Sequence, residues 1–424
     1  MTEQPRVLLL LPTTTYKAAD FLAAAERLGV EAIVGSEQRQ ALEDIAPGRT
    51  LTLGLHDAAK AARQIAWAGS ARPFAAVVPT DDLTAVVAAH ASELLGLPHN
   101  SYEAAHAARR KDRLRGRLTA AGVRTPSHRV IRCAPLLLSD ADLASEAAAE
   151  RYPCVLKPVS LAASRGVIRA DNPDQFAAAF RRIEAILKRP DVVEKVEPEA
   201  RSLILVEEYV DGMEVALEGI LSRGRLRTLA IFDKPDPLEG PFFEETIYVT
   251  PSRLREAEQR AIEVAVAASA RALNLQEGPV HAELRLAPGE LPWLIELAAR
   301  SIGGLCSRVL RFGAGVSLEE VILMHALGTD IDEIERERRA AGVLMLPIPR
   351  SGRLAAVRGL EEARALAGVE EVTLTATIGQ PVEALPEGSS YLGFVFARAA
   401  TPAEAEAALR AAQARIEAEI EPVT

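Results

Sequence analysis

Over its first hundred residues the chain alternates short apolar runs with stretches of helical period, and that alternation leaves few folds open. Val7–Leu11 reads as a buried strand, Lys17–Leu28 as a helix stopped at Gly29, and Glu31–Val34 as a second strand closed by Gly35. Phe74–Val78 is a further strand. Pro79-Thr80-Asp81-Asp82 then turns the chain into a helix over Leu83–Leu95, ended by Gly96. Strands this apolar, separated by helices, pack as a parallel sheet in an α/β layer. Ser101, after the loop Gly96–Asn100, is placed to cap the next helix.

From Lys111 the pattern becomes α+β. Helices are expected at Lys111–Ala121, Pro173–Lys188 and Arg253–Leu273, and strands at His128–Cys133, Cys154–Val159 and Leu203–Val206. Val215–Leu221 and Leu226–Phe232, joined by Ser222-Arg223-Gly224-Arg225, form a hairpin. His281–Leu286 and Trp293–Leu297 form a second one about Ala287-Pro288-Gly289-Glu290. Beyond about Ala340, strands at Gly342–Pro347 and Glu371–Ala376 and a helix over Pro402–Ile420, capped by Thr401, suggest a small third unit. A length of 424 residues favours two to four domains.

A net charge of -10 argues against nucleic acid as the main partner, since a phosphate backbone needs a basic face. The local run Arg109, Arg110, Lys111, Arg113, Arg115 and Arg117 suits either phosphate or a solvated helix face. Cys133, Cys154 and Cys306 are odd in number and far apart, which fits neither a disulfide framework nor a zinc site. The N-terminus lacks the basic region and cleavage site of a signal peptide, and no apolar run approaches the ~20 residues of a membrane span. A cytoplasmic protein without membrane contact is expected.

Three segments carry candidate chemistry. Cys154–Val159 is a buried strand ending on Lys157, a compact cation suited to phosphate. The small residues of Ser160–Val167, with one glycine at Gly166, let backbone N–H groups approach an anion, although an ordinary loop reads the same way. Glu207–Val210 is extended backbone of the kind that can pair with a base, followed by Glu214; a solvated glutamate face is the other reading. Glu283 and Glu296 lie on the two strands of the second hairpin. Carboxylates opposed across a sheet repel unless a cation lies between them. Mg2+ is a hard ion that takes such oxygens. Alternatively, Glu296 pairs with Arg285 or Arg300.

Taken in this order and spacing, the three segments resemble the ATP-grasp superfamily over about residues 1–330. Pro79-Thr80-Asp81-Asp82, Leu95-Gly96-Leu97-Pro98 and Lys111-Asp112-Arg113 are also similar to that family. The resemblance implies a Rossmann-like N-terminal α/β domain (1–108), a two-lobed ATP-grasp domain (109–330) with a lid at about 154–206, and a small C-terminal α+β domain (340–424). It implies that Lys111 and Lys157 meet ATP phosphates under the loop holding Ser164 and Gly166. Glu207, Glu208 and Val210 would meet adenine, Glu214 the ribose, and Glu283 and Glu296 would hold Mg2+, with Mn2+ as a substitute. Arg300 and the backbone at Gly303 would stabilise an acyl phosphate or oxyanion.

One departure is Ala298, where many members carry a metal-binding asparagine. Glu296-Leu297-Ala298-Ala299-Arg300, Asp233-Lys234-Pro235 and Gly240–Thr246 instead resemble bacilysin-type L-amino acid ligases and carnosine-synthase-like enzymes. That resemblance implies ATP-dependent joining of a small carboxylate to an amine. Glu245 and Tyr248 would lie at the substrate, Gly304 would leave it room, and a homodimer, common among similar enzymes, is implied. Another ATP-grasp reaction, of the purine-pathway or carboxylase type, and a non-catalytic Mg-ATP-binding protein are the alternatives.

Overall fold

The computed structural model describes residues 4–39, 48–133, 138–287 and 289–422. At the N-terminus, strands Arg6–Leu10, Glu31–Ser36, Thr50–Thr52 and Ala76–Pro79 form the expected parallel sheet, with Arg6–Leu10 between Glu31–Ser36 and Ala76–Pro79. The helix Asp82–Leu95 is capped by the Asp81 side chain and ends at Gly96 in the left-handed conformation. In such a sheet the loops after the strand C-termini form the binding crevice. Here those loops carry Tyr16 and Lys17, and Thr80 to Asp82.

The segment expected to form a lid folds together with the preceding strand into a four-stranded antiparallel sheet ordered His128–Arg132, Leu203–Glu208, Cys154–Pro158, Ile168–Ala170. The helix Pro173–Leu187 covers it by burying Phe176, Phe180 and Ile183 among Leu156, Ile204 and Val206. The lid also docks on the C-terminal segment. Arg182 pairs with Glu387 at 2.6 Å, Arg189 with Glu383 at 2.9 Å, and the Gly166 amide donates to the Pro386 carbonyl at 2.9 Å.

The central element is an eight-stranded sheet. In order it runs Trp293–Ala298, Gly278–Leu286, Met213–Ser222, Arg225–Asp233, Ile247–Thr250, Ala340–Leu346, Gly393–Ala399 and Val369–Leu374. Both expected hairpins form, with Ser222 opposite Arg225 in the first. The turn of the second includes Pro288, which lies outside the described residues.

The sheet runs straight across the expected boundary near residue 340. Ala340–Leu346 pairs with Ile247–Thr250 and so covers what would otherwise be an open sheet edge. A separate small sheet joins Gly352–Arg358 to Pro381–Val382 and Glu417–Glu421. The last helix is therefore shorter than expected: it ends at Gln413, and Glu417–Glu421 is a strand. Ile416, Ala418 and Ile420 alternate with Glu417, Glu419 and Glu421, a period of two that the preceding Ala- and Glu-rich helix obscures.

Among the described residues no helix is long and apolar enough to cross a membrane, and the three cysteines are buried and unbonded.

Candidate active site

One face of the central sheet is charged, and its strand register explains how. Glu214 lies opposite Arg285, Glu218 opposite His281, and Glu283 opposite Glu296. A bulge between Glu283 and Leu284 in this pairing re-aims the edge strand beside the two glutamates. Glu214 accepts from Arg285 Nε at 2.9 Å and from Lys234 Nζ at 2.8 Å. The same ammonium is 2.5 Å from Glu245 and 3.2 Å from Glu283, so it sits among three carboxylates that converge closely enough to bind a cation. Burial would lower the Lys234 pKa, but Glu214, Glu245 and Glu283 hold it well above its usual value.

Burial raises the Glu245 carboxyl, whose Oε1 accepts from the Tyr248 hydroxyl at 2.7 Å. Glu283 moves the other way: against the burial penalty, Lys234 and His281 keep it ionised well below the ordinary range. His281 Nδ1 lies 3.1 Å from Glu218. Flanked by Glu218 and Glu283, the imidazole has a raised pKa despite its burial.

Across the cleft, the helix Lys111–Ala120 and the lid strand Cys154–Pro158 supply two lysines. Lys111 Nζ donates to the Leu161 carbonyl at 2.9 Å and lies 3.3 Å from Glu296. Lys157 Nζ is 2.6 Å from Glu207, whose other oxygen accepts from Arg115 Nε at 2.6 Å. Burial alone would raise the Glu207 pKa, but these two cations bring it down to about 2.

The segment Arg300 to Ile302 is anchored at three successive residues. Arg300 Nε lies 3.1 Å from Asp82, Ser301 Oγ accepts from Lys17 Nζ at 2.9 Å, and the Ile302 amide donates to Glu218 at 3.0 Å. Lys17 also donates to the Thr80 and Ser301 carbonyls, and burial, aided by Arg300, pushes its pKa down to about 8. A cleft with an internal volume of about 290 Å³ lies between these groups and the lid loop.

Three family models match segments of the chain. Residues 22–99 match the ATP-grasp N-terminal domain, 150–309 the ATP-grasp domain, and 344–421 the L-amino acid ligase C-terminal domain 2. The chain thus carries an ATP-grasp domain, preceded by an ATP-grasp N-terminal domain and followed by an L-amino acid ligase C-terminal domain.

It is 30% identical over 268 residues to alanine–anticapsin ligase of Bacillus subtilis (strain 168), covering 61% of this chain and 55% of that protein. It is 26% identical over 243 residues to D-alanine–D-alanine ligase of Azoarcus sp. (strain BH72), covering 55% and 72%. The matched stretch thus spans about half the length of the first of these relatives. Among solved structures, an L-amino acid ligase from Bacillus licheniformis superposes with a TM-score of 0.81 at 26% identity, over 99% of this chain and 100% of that one.

Within this ATP-grasp fold, most residues named from sequence border the cleft. Lys111, Lys157, Ser164, Glu207, Glu208, Val210 and Glu214 line it, as do Glu245, Tyr248, Glu283, Glu296, Arg300, Gly303 and Gly304. Gly166 is set back from it. Its amide is bonded to Pro386, its φ is +72°, and an added Cβ would lie 2.7 Å from Pro158 Cγ, so the glycine serves the turn of the lid loop. The Glu207 carboxylate is occupied by Arg115 and Lys157, leaving the backbone after it as the part of this segment suited to a base. Glu296 pairs with Lys111, not with Arg285 or Arg300, which are held by Glu214 and Asp82.

Gly303 faces open space, whereas the room at Gly304 is filled: a Cβ there would lie 2.8 Å from the Phe394 ring, at φ +58°. Gly304→Ala is expected to destabilise the fold by about 1–3 kcal/mol through positive-φ strain and overpacking. Chemical denaturation that leaves the midpoint unchanged would contradict this packing.

Sequence reading did not assign a site role to Lys17, Asp82, Glu218 or His281, and it took Lys234 only as part of the ligase-like segment Asp233-Lys234-Pro235. Asp82 reads as an ordinary first-turn acid and Lys17 as a helix-start residue. For Lys234 a signal existed, a lysine at the end of an apolar strand like Lys157.

Proposed function

We propose that the chain is an ATP-dependent carboxylate–amine ligase that forms an amide through an acyl phosphate, with an amino acid as the acid substrate. The observation that carries this reading is the register pair Glu283 and Glu296, facing one cleft with Lys111, Lys157 and Arg300. Two carboxylates opposed on neighbouring strands, each now beside a lysine, are a hard-oxygen donor set that suits Mg2+. Glu283 and Glu296 would hold the metal, which when bound supplies charge neutralisation to the phosphates.

The chain's own groups account for the rest. Extended backbone from Glu208 to Val210 receives adenine, and Glu214 faces the ribose hydroxyls. Lys111 and Lys157 meet the phosphates once these draw them away from Glu296 and Glu207. A carboxylate oxygen of the acid forms a bond to the γ-phosphorus as the bond to ADP breaks, a step governed by positioning and charge. The amine nitrogen then bonds to the acyl carbon, phosphate leaves with the acid's oxygen, and the nitrogen loses a proton. Arg300 and the backbone at Gly303 meet the developing oxyanion. Glu245, supported by Tyr248, holds the ammonium of the acid substrate. The lid keeps water from the acyl phosphate.

The test is phosphate release from Mg-ATP across pooled amino acids and small carboxylic acids, with mass spectrometry of positive pools. Release that needs two added components and yields an amide of matching mass is expected. ATP binding without release in every pool would refute the ligase reading. Glu296→Ala is expected to raise the Mg2+ needed for half-maximal rate by at least about 10–100-fold, the range seen when even an outer-shell partner is lost. An unchanged metal requirement would remove Glu296 from the metal site.

A further inference from the structure

We infer that the acid substrate carries an apolar side chain, selected by a box formed by Tyr16, Cys306, Met345 and Tyr391; this rests on the ligase reading above. All four border the cleft, and they come from three parts of the chain: the N-terminal sheet, the loop after Arg300 and the C-terminal strands of the central sheet. Their position relative to Glu245 is set by backbone pairing. The Met345 amide donates to the Thr246 carbonyl at 2.7 Å, one residue from Glu245, and Tyr248 lies opposite Val343.

Phe394 packs behind these walls. It is fully buried, meets Tyr16 edge-on at 5.6 Å and Tyr391 at 5.9 Å, and fills the space beside Gly304. Burial pushes the Cys306 thiol and the Tyr391 phenol up, so both walls stay neutral.

Lys234 is shared by Glu214, Glu245 and Glu283, and the Lys17 ammonium donates to the Ser301 hydroxyl and the Thr80 and Ser301 carbonyls. An acidic side chain in the box would find neither cation with a free donor. A basic one would place a further cation beside Lys234 and the substrate's own ammonium. An apolar side chain loses nothing on entering and removes its surface from water. An amino acid then fits with its carboxylate toward Arg300, its ammonium on Glu245 and its side chain against Tyr16, Met345 and Tyr391.

The experiment uses the full chain with Mg-ATP and a pooled amine partner. The acids are glycine, alanine, leucine, methionine, phenylalanine, aspartate and lysine, each labelled with 18O in its carboxylate. Label appearing in the released phosphate identifies the acid partner, because that oxygen leaves with phosphate. Leucine, methionine or phenylalanine is expected to exceed glycine, aspartate and lysine in kcat/KM by at least about tenfold. Met345→Trp, which fills the box, and Tyr391→Ala, which opens it, are expected to shift the preferred size in opposite directions; either variant suffices if the other does not fold. Labelled phosphate from aspartate, lysine or glycine in preference, or variants that change every acid equally, would overturn the box while leaving the ligase intact. No phosphate release with any acid would overturn the ligase reading itself.

Discussion

Arg300→Ala is expected to lower the maximal rate of amide formation by about 10³-fold or more, the scale seen when an arginine that meets transition-state charge is removed. ATP affinity should change little, because the proposed phosphate contacts are made by Lys111 and Lys157 and not by Arg300. In the structure Arg300 Nε is 3.1 Å from Asp82 and Nη1 donates to the Ser301 carbonyl at 3.0 Å, so the guanidinium is held in place before any substrate arrives. Asp82→Asn keeps the shape and removes the counter-charge. A smaller loss in kcat, with KM for ATP unchanged, would mark Asp82 as a positioning residue. Arg300→Lys should recover only part of the rate, since an ammonium cannot replace a planar fork. Near-normal turnover in Arg300→Ala, with the folded state intact, would remove Arg300 from the chemistry.

Glu207→Ala is expected to destabilise the protein by about 3–5 kcal/mol, the usual cost of leaving buried charge uncompensated. Glu207 and Arg115 are 2% and 1% exposed at the side chain, and Lys157 is 10% exposed. Removing the one carboxylate strands both cations. Acid should reveal the same interaction. The Glu207 carboxyl falls from an ordinary 4.5 to about 2 in the folded state. Its contribution, roughly 3 kcal/mol, is therefore present above pH 4.5 and is lost as pH falls through about 2. Denaturant titrations between these pH values should show this loss in the parent chain but not in Glu207→Gln. Parallel acid dependence in the two proteins would mean that the pair contributes no net stability.

Much of the architecture was legible because its causes are local. Alternating apolar strands and helices announced the N-terminal parallel sheet, and two turn sequences announced the hairpins that carry Glu214 and Glu283; the pairing of one hairpin with the other is not local. The last helix was overextended because its alanines and glutamates suit a helix as well as the period-two strand that follows. The C-terminal strands read as a unit apart, since nothing in Ala340–Leu346 itself says that its partner is Ile247–Thr250.

The candidate site divides in the same way. Strand period and hairpin register act over a few residues, so the sequence alone determined that Glu283 and Glu296 are opposed and that Lys157 ends a buried strand. Only the tertiary structure decided which cation each carboxylate holds. Lys111 reaches Glu296 from 185 residues away, and Lys17 reaches Ser301 across 284. Such pairings depend on how separate sheets pack, and a side chain's charge is the same in every packing. Its partner is set by the groups that burial brings within hydrogen-bond distance once water is excluded.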